Sequence, residues 1–145
     1  MHVIVTSHGS FCTGAVQVYE MVAGKSTGIT AVSLSFDDTG QFAPELRRAV
    51  ESHLDCGVLI LCDIVGGTPY NESLRLALEY PQKIELLANM NLPMLIEAGM
   101  ALEHAKDLDD LYQTAVNAGI ESIKLSACNE RERLANQNED DGSMF

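Results

Sequence analysis

Apolar positions along the chain switch between two spacings. Val3 to Thr6 is a short apolar run that reads as a first buried strand. From Thr13 to Ala23, the residues Ala15, Val16, Tyr19 and Val22 recur at helical spacing, with Thr13 as candidate N-cap and Gly24 where a C′ residue belongs. Ile29 to Ser35 reads as a second strand. Phe42 to Leu54 reads as a second helix, with Leu46, Ala49, Val50 and Leu54 as its apolar stripe. Gly57 to Leu61 is apolar throughout, as a central parallel strand covered on both faces would be. A helix over Tyr70 to Glu79 follows, stopped by Pro81, then a strand over Lys83 to Ala88. Helices are expected over Leu92 to His104 and Asp107 to Ala118, the latter closed by Gly119, and a last strand over Ile120 to Ser126. This βαβαβαβ order predicts one α/β domain, doubly wound in three layers around a mostly parallel sheet.

The pattern stops after residue 126. The stretch from Asn129 to Ser143 holds one leucine and no aromatic residue, so residues 127–145 are expected to be a frayed or disordered polar tail behind a domain over residues 1–126.

Composition narrows the function. Nine Lys and Arg face 21 Asp and Glu, for a formal charge of −12. Such a surface repels phosphate backbones and anionic lipid, which argues against nucleic-acid or membrane-surface binding. The tail holds five acids and two bases, which leaves about −9 on the domain, where it could recruit a basic face of a protein partner. The first residues carry no positive n-region and read as a strand, not a signal peptide. Cys56 and Cys62 stand about 20 Å apart along one strand, too far to bridge, and no CxxC pair exists among the four cysteines. Free thiols and a cytoplasmic location are the expectation.

In an open parallel sheet, ligands bind beyond the carboxyl ends of the strands. The first strand ends in Ser7-His8-Gly9-Ser10, and the third in Cys62-Asp63-Ile64-Val65-Gly66-Gly67-Thr68-Pro69-Tyr70-Asn71. If these strands are neighbours, His8 faces Asp63. An aspartate on Nδ1 fixes the imidazole tautomer and leaves Nε2 with its lone pair. Gly-Gly-Thr-Pro brings backbone N–H groups, a hydroxyl and a helix N-terminus to the same place, with Pro69 in the first helical turn. A phosphohistidine site needs that set: a nucleophile, an orienting carboxylate and an anion cradle. The competing reading makes His8 a satisfied strand-end histidine and Asp63 the cap of a turn. His2 lies at the chain start, and His53 and His104 near helix C-termini, where a histidine suits the dipole. Gly24-Lys25-Ser26 ends a helix and lacks the first glycine of a P-loop, and no GxGxxG occurs, so neither ATP nor a dinucleotide is expected.

Thr6-Ser7-His8-Gly9, then Asp63 to Asn71, then Asn89-Met90-Asn91-Leu92-Pro93-Met94-Leu95, resembles the IIA component of the mannose/fructose/sorbose class of the bacterial sugar phosphotransferase system (PTS). The resemblance spans about residues 1–126. It implies the flavodoxin-like strand order 2-1-3-4 and a homodimer in which the C-terminal antiparallel strand is exchanged. It implies phosphorylation of His8 by the phosphocarrier HPr and onward transfer to a IIB component, with the membrane components reached only through IIB. Asp63 would orient His8, and Gly9, Gly66, Gly67 and Thr68 would hold the phosphoryl group, with no cofactor and no metal. The chain looks like a free-standing IIA. Three other readings stay open: the phosphotransfer subunit of a dihydroxyacetone kinase system, which usually lacks Gly-Gly-Thr-Pro after the aspartate; a flavodoxin-like module binding flavin mononucleotide through Ser7, Ser10 and Thr13; and a purely regulatory protein that senses phosphorylation and binds a partner.

Overall fold

The computed structural model describes residues 1–123 and 133–135. The elements are β1 (His2–His8), α1 (Phe11–Ala23), β2 (Ile29–Leu34), α2 (Phe42–Glu51), β3 (Val58–Cys62), α3 (Thr68–Glu79), β4 (Ile84–Leu87), α4 (Leu92–Ala101) and α5 (Leu108–Ser122). The four strands form one sheet in the order β2-β1-β3-β4. All pairings are parallel, with Val3 opposite Ile29 and Leu59.

Period-two alternation distributes the strands between two cores. Val3, Val5, Leu59 and Leu61 face Cys12, Tyr19, Leu95, Ala98, Leu111 and Ala115 of α1, α4 and α5. Ile4, Val32, Val58, Ile60 and Ile84 face Phe42, Leu46, Val50 and Leu76 of α2 and α3. Both faces of β3 are covered, which explains its unbroken apolar text. Burying each large side chain contributes about 1.5–3 kcal/mol, so β1 and β3 hold the centre of the domain rigidly. Their carboxyl ends therefore make a firm platform.

Several boundaries differ from the sequence expectation, each for a local reason. The helix expected from Thr13 begins at Phe11. Thr13 is not its cap: its hydroxyl donates to the Ser10 carbonyl at 2.8 Å, and the buried Ser7 hydroxyl accepts the Cys12 N–H at 2.8 Å. The second helix ends at Glu51, not Leu54. Its entry is held by Asp38, whose carboxylate accepts the N–H groups of Gly40, Gln41 and Phe42.

The largest correction concerns the last strand. Residues Ile120 to Ser122 belong to α5, and residues 124–126 of the expected strand lie outside the described residues. Gly119 is not a helix stop. It is buried within α5, where a Cβ would come within 2.7 Å of the Met94 methyl, so it is a close-packing glycine. Its carbonyl accepts the Asn91 side-chain amide at 3.0 Å, tying α5 to the loop before α4. The strand exchange and most of the 127–145 tail likewise fall outside the described residues. Among the described residues no helix is long and apolar enough to cross a membrane. Cys12 and Cys62 are buried free thiols and Cys56 an exposed one, while Cys128 lies outside the described residues.

At the amino end of the sheet, the rings of His2 and His53 stack with centroids 3.6 Å apart. His2 Nε2 sits 2.8 Å from the Thr30 hydroxyl, and His53 Nδ1 lies 2.9 Å from Ser52 Oγ and 3.0 Å from the Ala49 carbonyl. Burial, then the facing His53 charge, then the chain's amino group push the His2 pKa down to about 4. Unfolded chains protonate His2 near 6.5, so between pH 6.5 and 4 the unfolded state binds more protons. Stability is therefore expected to fall as pH drops through that window, by on the order of 2 kcal/mol from this residue. Urea unfolding of wild type and His2→Phe at pH 7 and pH 4.5 checks this, and equal pH slopes would contradict it.

Candidate functional site

His8 is the last residue of β1 and the point where that strand leaves the core. The six residues before it are buried, and its own side chain is 45% exposed. Asp63 follows the last residue of β3, the neighbouring strand. The parallel register thus brings two residues separated by 55 positions into contact. His8 Nδ1 lies 2.8 Å from Asp63 Oδ2, and the same oxygen accepts the His8 backbone N–H at 2.9 Å. Asp63 Oδ1 accepts the Ile64 N–H at 2.9 Å. One carboxylate therefore caps its turn with one oxygen and holds the histidine with the other, so the two sequence readings of Asp63 coexist.

Burial pushes the Asp63 carboxyl up, but the hydrogen bonds from the His8 backbone, the His8 ring and Ile64 outweigh it, and the group sits below its ordinary range. An ionised Asp63 accepts only, so Nδ1 carries the shared proton, and in the neutral ring the lone pair falls on Nε2. Within the described residues no hydrogen bond engages Nε2.

The outer edge of the ring meets Gly67. A Cβ on Gly67 would stand 2.5 Å from His8 Cε1 and 3.1 Å from Nε2, so only glycine lets the backbone pass there. Gly67 is also the N-cap residue of α3, with Thr68 and Pro69 opening the helix. The first N–H groups of α3 have no acceptor within the helix, and its positive dipole end lies beside the imidazole. Gly66, with φ of +82°, makes the turn that delivers them. On the other side, the Gly9 N–H donates to the Leu34 carbonyl at 2.7 Å, and the Gly9 carbonyl accepts the hydroxyls of Ser7 and Ser33.

The fold gathers His8, Gly9, Asp63 and Gly67 at one end of the sheet, with Gly66 and Thr68 adjoining in the chain. It leaves the other histidines elsewhere. His2 and His53 stack at the opposite end, about 20 Å away at ~3.3 Å per strand residue. Burial pushes the Cys62 thiol up to about 12, and that thiol hydrogen-bonds Ser73, so the cysteine beneath the site is no nucleophile. Among the described residues no cluster of His, Cys, Asp and Glu could hold a metal ion.

Three residues have parts here that the sequence did not assign: Ser7, expected only as a phosphate-loop hydroxyl of the flavin alternative, turns inward; Ser33 lies on β2; and Asn71, inside the Asp63 to Asn71 motif, reaches Gly66 with its side chain. A serine preceding a strand-end His-Gly hints at Ser7. Ser33 had no signal, because its partner is set by strand pairing. An exposed apolar rim also surrounds the site. Phe36 after β2 is fully exposed, and Phe11, Ile64 and Val65 are each at least half exposed.

Comparison with known proteins agrees with this geometry. The family described as "PTS system fructose IIA component" matches residues 2–116. The fructose-specific EIIA component of Bacillus subtilis is 31% identical over 144 residues, covering 95% of this chain and 94% of that protein. The mannose-specific EIIAB component of Escherichia coli K12 is 27% identical over 135 residues, and this chain spans only 42% of its length. Among solved structures, the mannose/sorbose specific IIA subunit from Enterococcus faecalis superposes with a TM-score of 0.76 at 25% identity, covering 86% of this chain and 93% of that one. The EIIA component from Streptococcus agalactiae gives 0.73 at 28% identity, covering 83% and 93%. With the strand order, the histidine end and the glycine turn all in hand, these matches leave one assignment: the chain belongs to the mannose/fructose/sorbose-type EIIA family of sugar phosphotransferase system components.

Proposed function

We propose that the chain carries a phosphoryl group on Nε2 of His8, taken from phospho-HPr and handed to a IIB component during phosphoenolpyruvate-dependent sugar uptake. The observation that carries this reading is the 2.8 Å contact between His8 Nδ1 and an ionised Asp63 at an exposed strand end. The Nε2 lone pair attacks the phosphorus of the donor's phosphohistidine. The donor's P–N bond breaks as the new one forms, and the electron pair stays with the donor ring. Asp63 stabilises the charge that then appears on the His8 ring. Such a transfer is largely positioning and electrostatics. The N-terminus of α3, with Gly66, Gly67 and Thr68, would hold the oxygens, which explains how so acidic a chain can carry phosphate; Gly9, expected from sequence to share that role, has its N–H engaged by the Leu34 carbonyl and shapes the turn instead.

The apolar rim of Phe11, Phe36, Ile64 and Val65 supports a protein partner at this site in preference to a soluble metabolite. Exposed Asp37 and Asp38 next to Phe36 suit a basic donor face. The flavin alternative loses ground. Ser7 is buried with its hydroxyl engaged, and Thr13 bonds the Ser10 carbonyl, so little of the loop's hydroxyl set is free for a phosphate. The relay's donors set the location as cytoplasmic.

Incubation with phosphoenolpyruvate, enzyme I and HPr should add one acid-labile, alkali-stable phosphoryl group, read by intact mass. An unlabelled chain, or a yellow protein with a flavin band, would sink the reading. Gly67→Ala should fold and yet transfer about 10²-fold more slowly, because its methyl forces the ring off Asp63. Rapid-quench kinetics check this, and wild-type rates would clear Gly67 of the role.

Homodimerisation belongs to the same reading. A groove lined by Leu87, Ala88, Met94, Val116 and Ile120 lies along edge strand β4, with exposed Ile123 at its rim. Sedimentation at twice the chain mass is expected, and a monomer at micromolar concentration would contradict it.

A further inference from the structure

We propose that Asn71 is a positioning residue for phosphoryl transfer, holding the Gly66–Gly67 turn against the outer edge of the His8 ring. This rests on the carrier reading above. Helices are ordinarily capped by the side chain of the residue that precedes them, most often Ser, Thr, Asp or Asn. At α3 that residue is Gly67, and no side-chain hydrogen bond caps the helix there. The reason is steric. Any side chain at position 67 would collide with His8 Cε1. The close approach that the site needs thus removes the group that would normally fix the turn.

Asn71 restores the restraint from inside the helix. Its Nδ2 reaches back to donate to the Gly66 carbonyl at 3.1 Å. Its backbone N–H donates to the Gly67 carbonyl at 2.9 Å. Both carbonyls of the turn are tied to one residue. The other anchor of this helix end lies deeper: the buried Ser73 hydroxyl donates to the Pro69 carbonyl at 2.7 Å and accepts the Cys62 thiol. It reaches Pro69, beyond the turn itself. Gly66 stands at φ of +82° and is exposed, so the turn has little packing to hold it. With Gly67 in contact with the ring, a displacement of a few tenths of an ångström reaches the nucleophile. It also moves the helix N–H groups that would cradle the phosphoryl oxygens.

The test compares wild type, Asn71→Ala and Asn71→Asp. Two measurements are made on each: the rate of transfer from phospho-HPr by rapid quench, and the NMR resonance of His8 Cε1–H, which looks onto Gly67. Asn71→Ala removes the donor without adding charge. Asn71→Asp removes it too, yet a carboxylate in the first turn favours the helix, so melting should stay near wild type. Both variants should transfer about tenfold more slowly, the loss of one hydrogen bond in the transition state, and both should shift the His8 Cε1–H resonance. Wild-type rates in both variants would overturn the proposal. So would slow transfer with an unmoved His8 resonance, which would mean a merely structural role. Wild type that accepts no phosphoryl group would defeat the carrier reading instead. The resonance comparison then judges the positioning of His8 by Asn71 alone: a shift supports it and none overturns it.

Discussion

His8→Gln is expected to leave a folded chain that accepts no phosphoryl group. The fold should survive because His8 is half exposed and belongs to neither core. A glutamine amide can still donate to Asp63 and help hold its carboxylate. It offers no nitrogen lone pair, since that pair is delocalised into its carbonyl. Positioning and electrostatics stay in place while the nucleophile is gone. Removal of a covalent nucleophile elsewhere costs several orders of magnitude, so labelling should drop by more than about 10³-fold. Intact-mass measurement of both proteins under identical conditions decides it. Equal labelling would move the phosphoryl group to another residue. The remaining described histidines make poor candidates: His2 and His53 are stacked on each other at the far end of the sheet, and His104 lies past the C-terminal end of α4, away from the helix N-termini that face His8.

The parts of this molecule that could be read from sequence are those where one physical requirement dominates. β3 must be apolar on both faces, so its text is continuous, and once it is central the residues after it face the end of β1. That β1 is the neighbour of β3 is a condition, met by the strand order the family resemblance implies, and this pairing is what joins His8 to Asp63 across 55 positions. The illegible parts are those where one residue type serves two ends. Gly119 reads as a helix stop, because glycine often ends helices. Its actual role, letting Met94 approach, depends on a helix packing that no local pattern encodes. Thr13 reads as a cap because hydroxyls cap helices, but the cap at that end is the hydroxyl of Ser7, five residues before the N–H it accepts. Asn71 ends the Asp63 to Asn71 motif, and nothing local to the sequence says what it holds, because its partner Gly66 needs it only where the ring excludes an ordinary cap at Gly67.

Asp63→Asn should slow transfer from phospho-HPr by about 10²–10⁴-fold while the chain stays folded. The wild-type carboxylate accepts three N–H groups: Ile64 on one oxygen, the His8 backbone and ring on the other. An amide has a single oxygen, so it cannot serve both sides. If its oxygen faces His8, the Ile64 N–H meets an NH₂ group and is left unsatisfied, and the ring loses the charge that would stabilise its phosphorylated form. If its oxygen faces Ile64, the NH₂ group donates to His8 Nδ1. The proton then moves to Nε2, and the lone pair needed for attack is on the wrong nitrogen. Either orientation raises the barrier, and the second removes the reactive tautomer altogether. The same carboxylate gives the wild type an acid limb that the variant should lack. Its folded pKa lies below the unfolded value, so its contribution to stability is complete above the ordinary aspartate range and is lost as pH falls through the depressed value. Rapid-quench kinetics at neutral pH and urea unfolding from pH 5 to pH 3 report the two effects separately. Wild-type transfer rates in the variant would return Asp63 to the plain role of a turn cap, because Ile64 needs an oxygen whether or not His8 is a nucleophile.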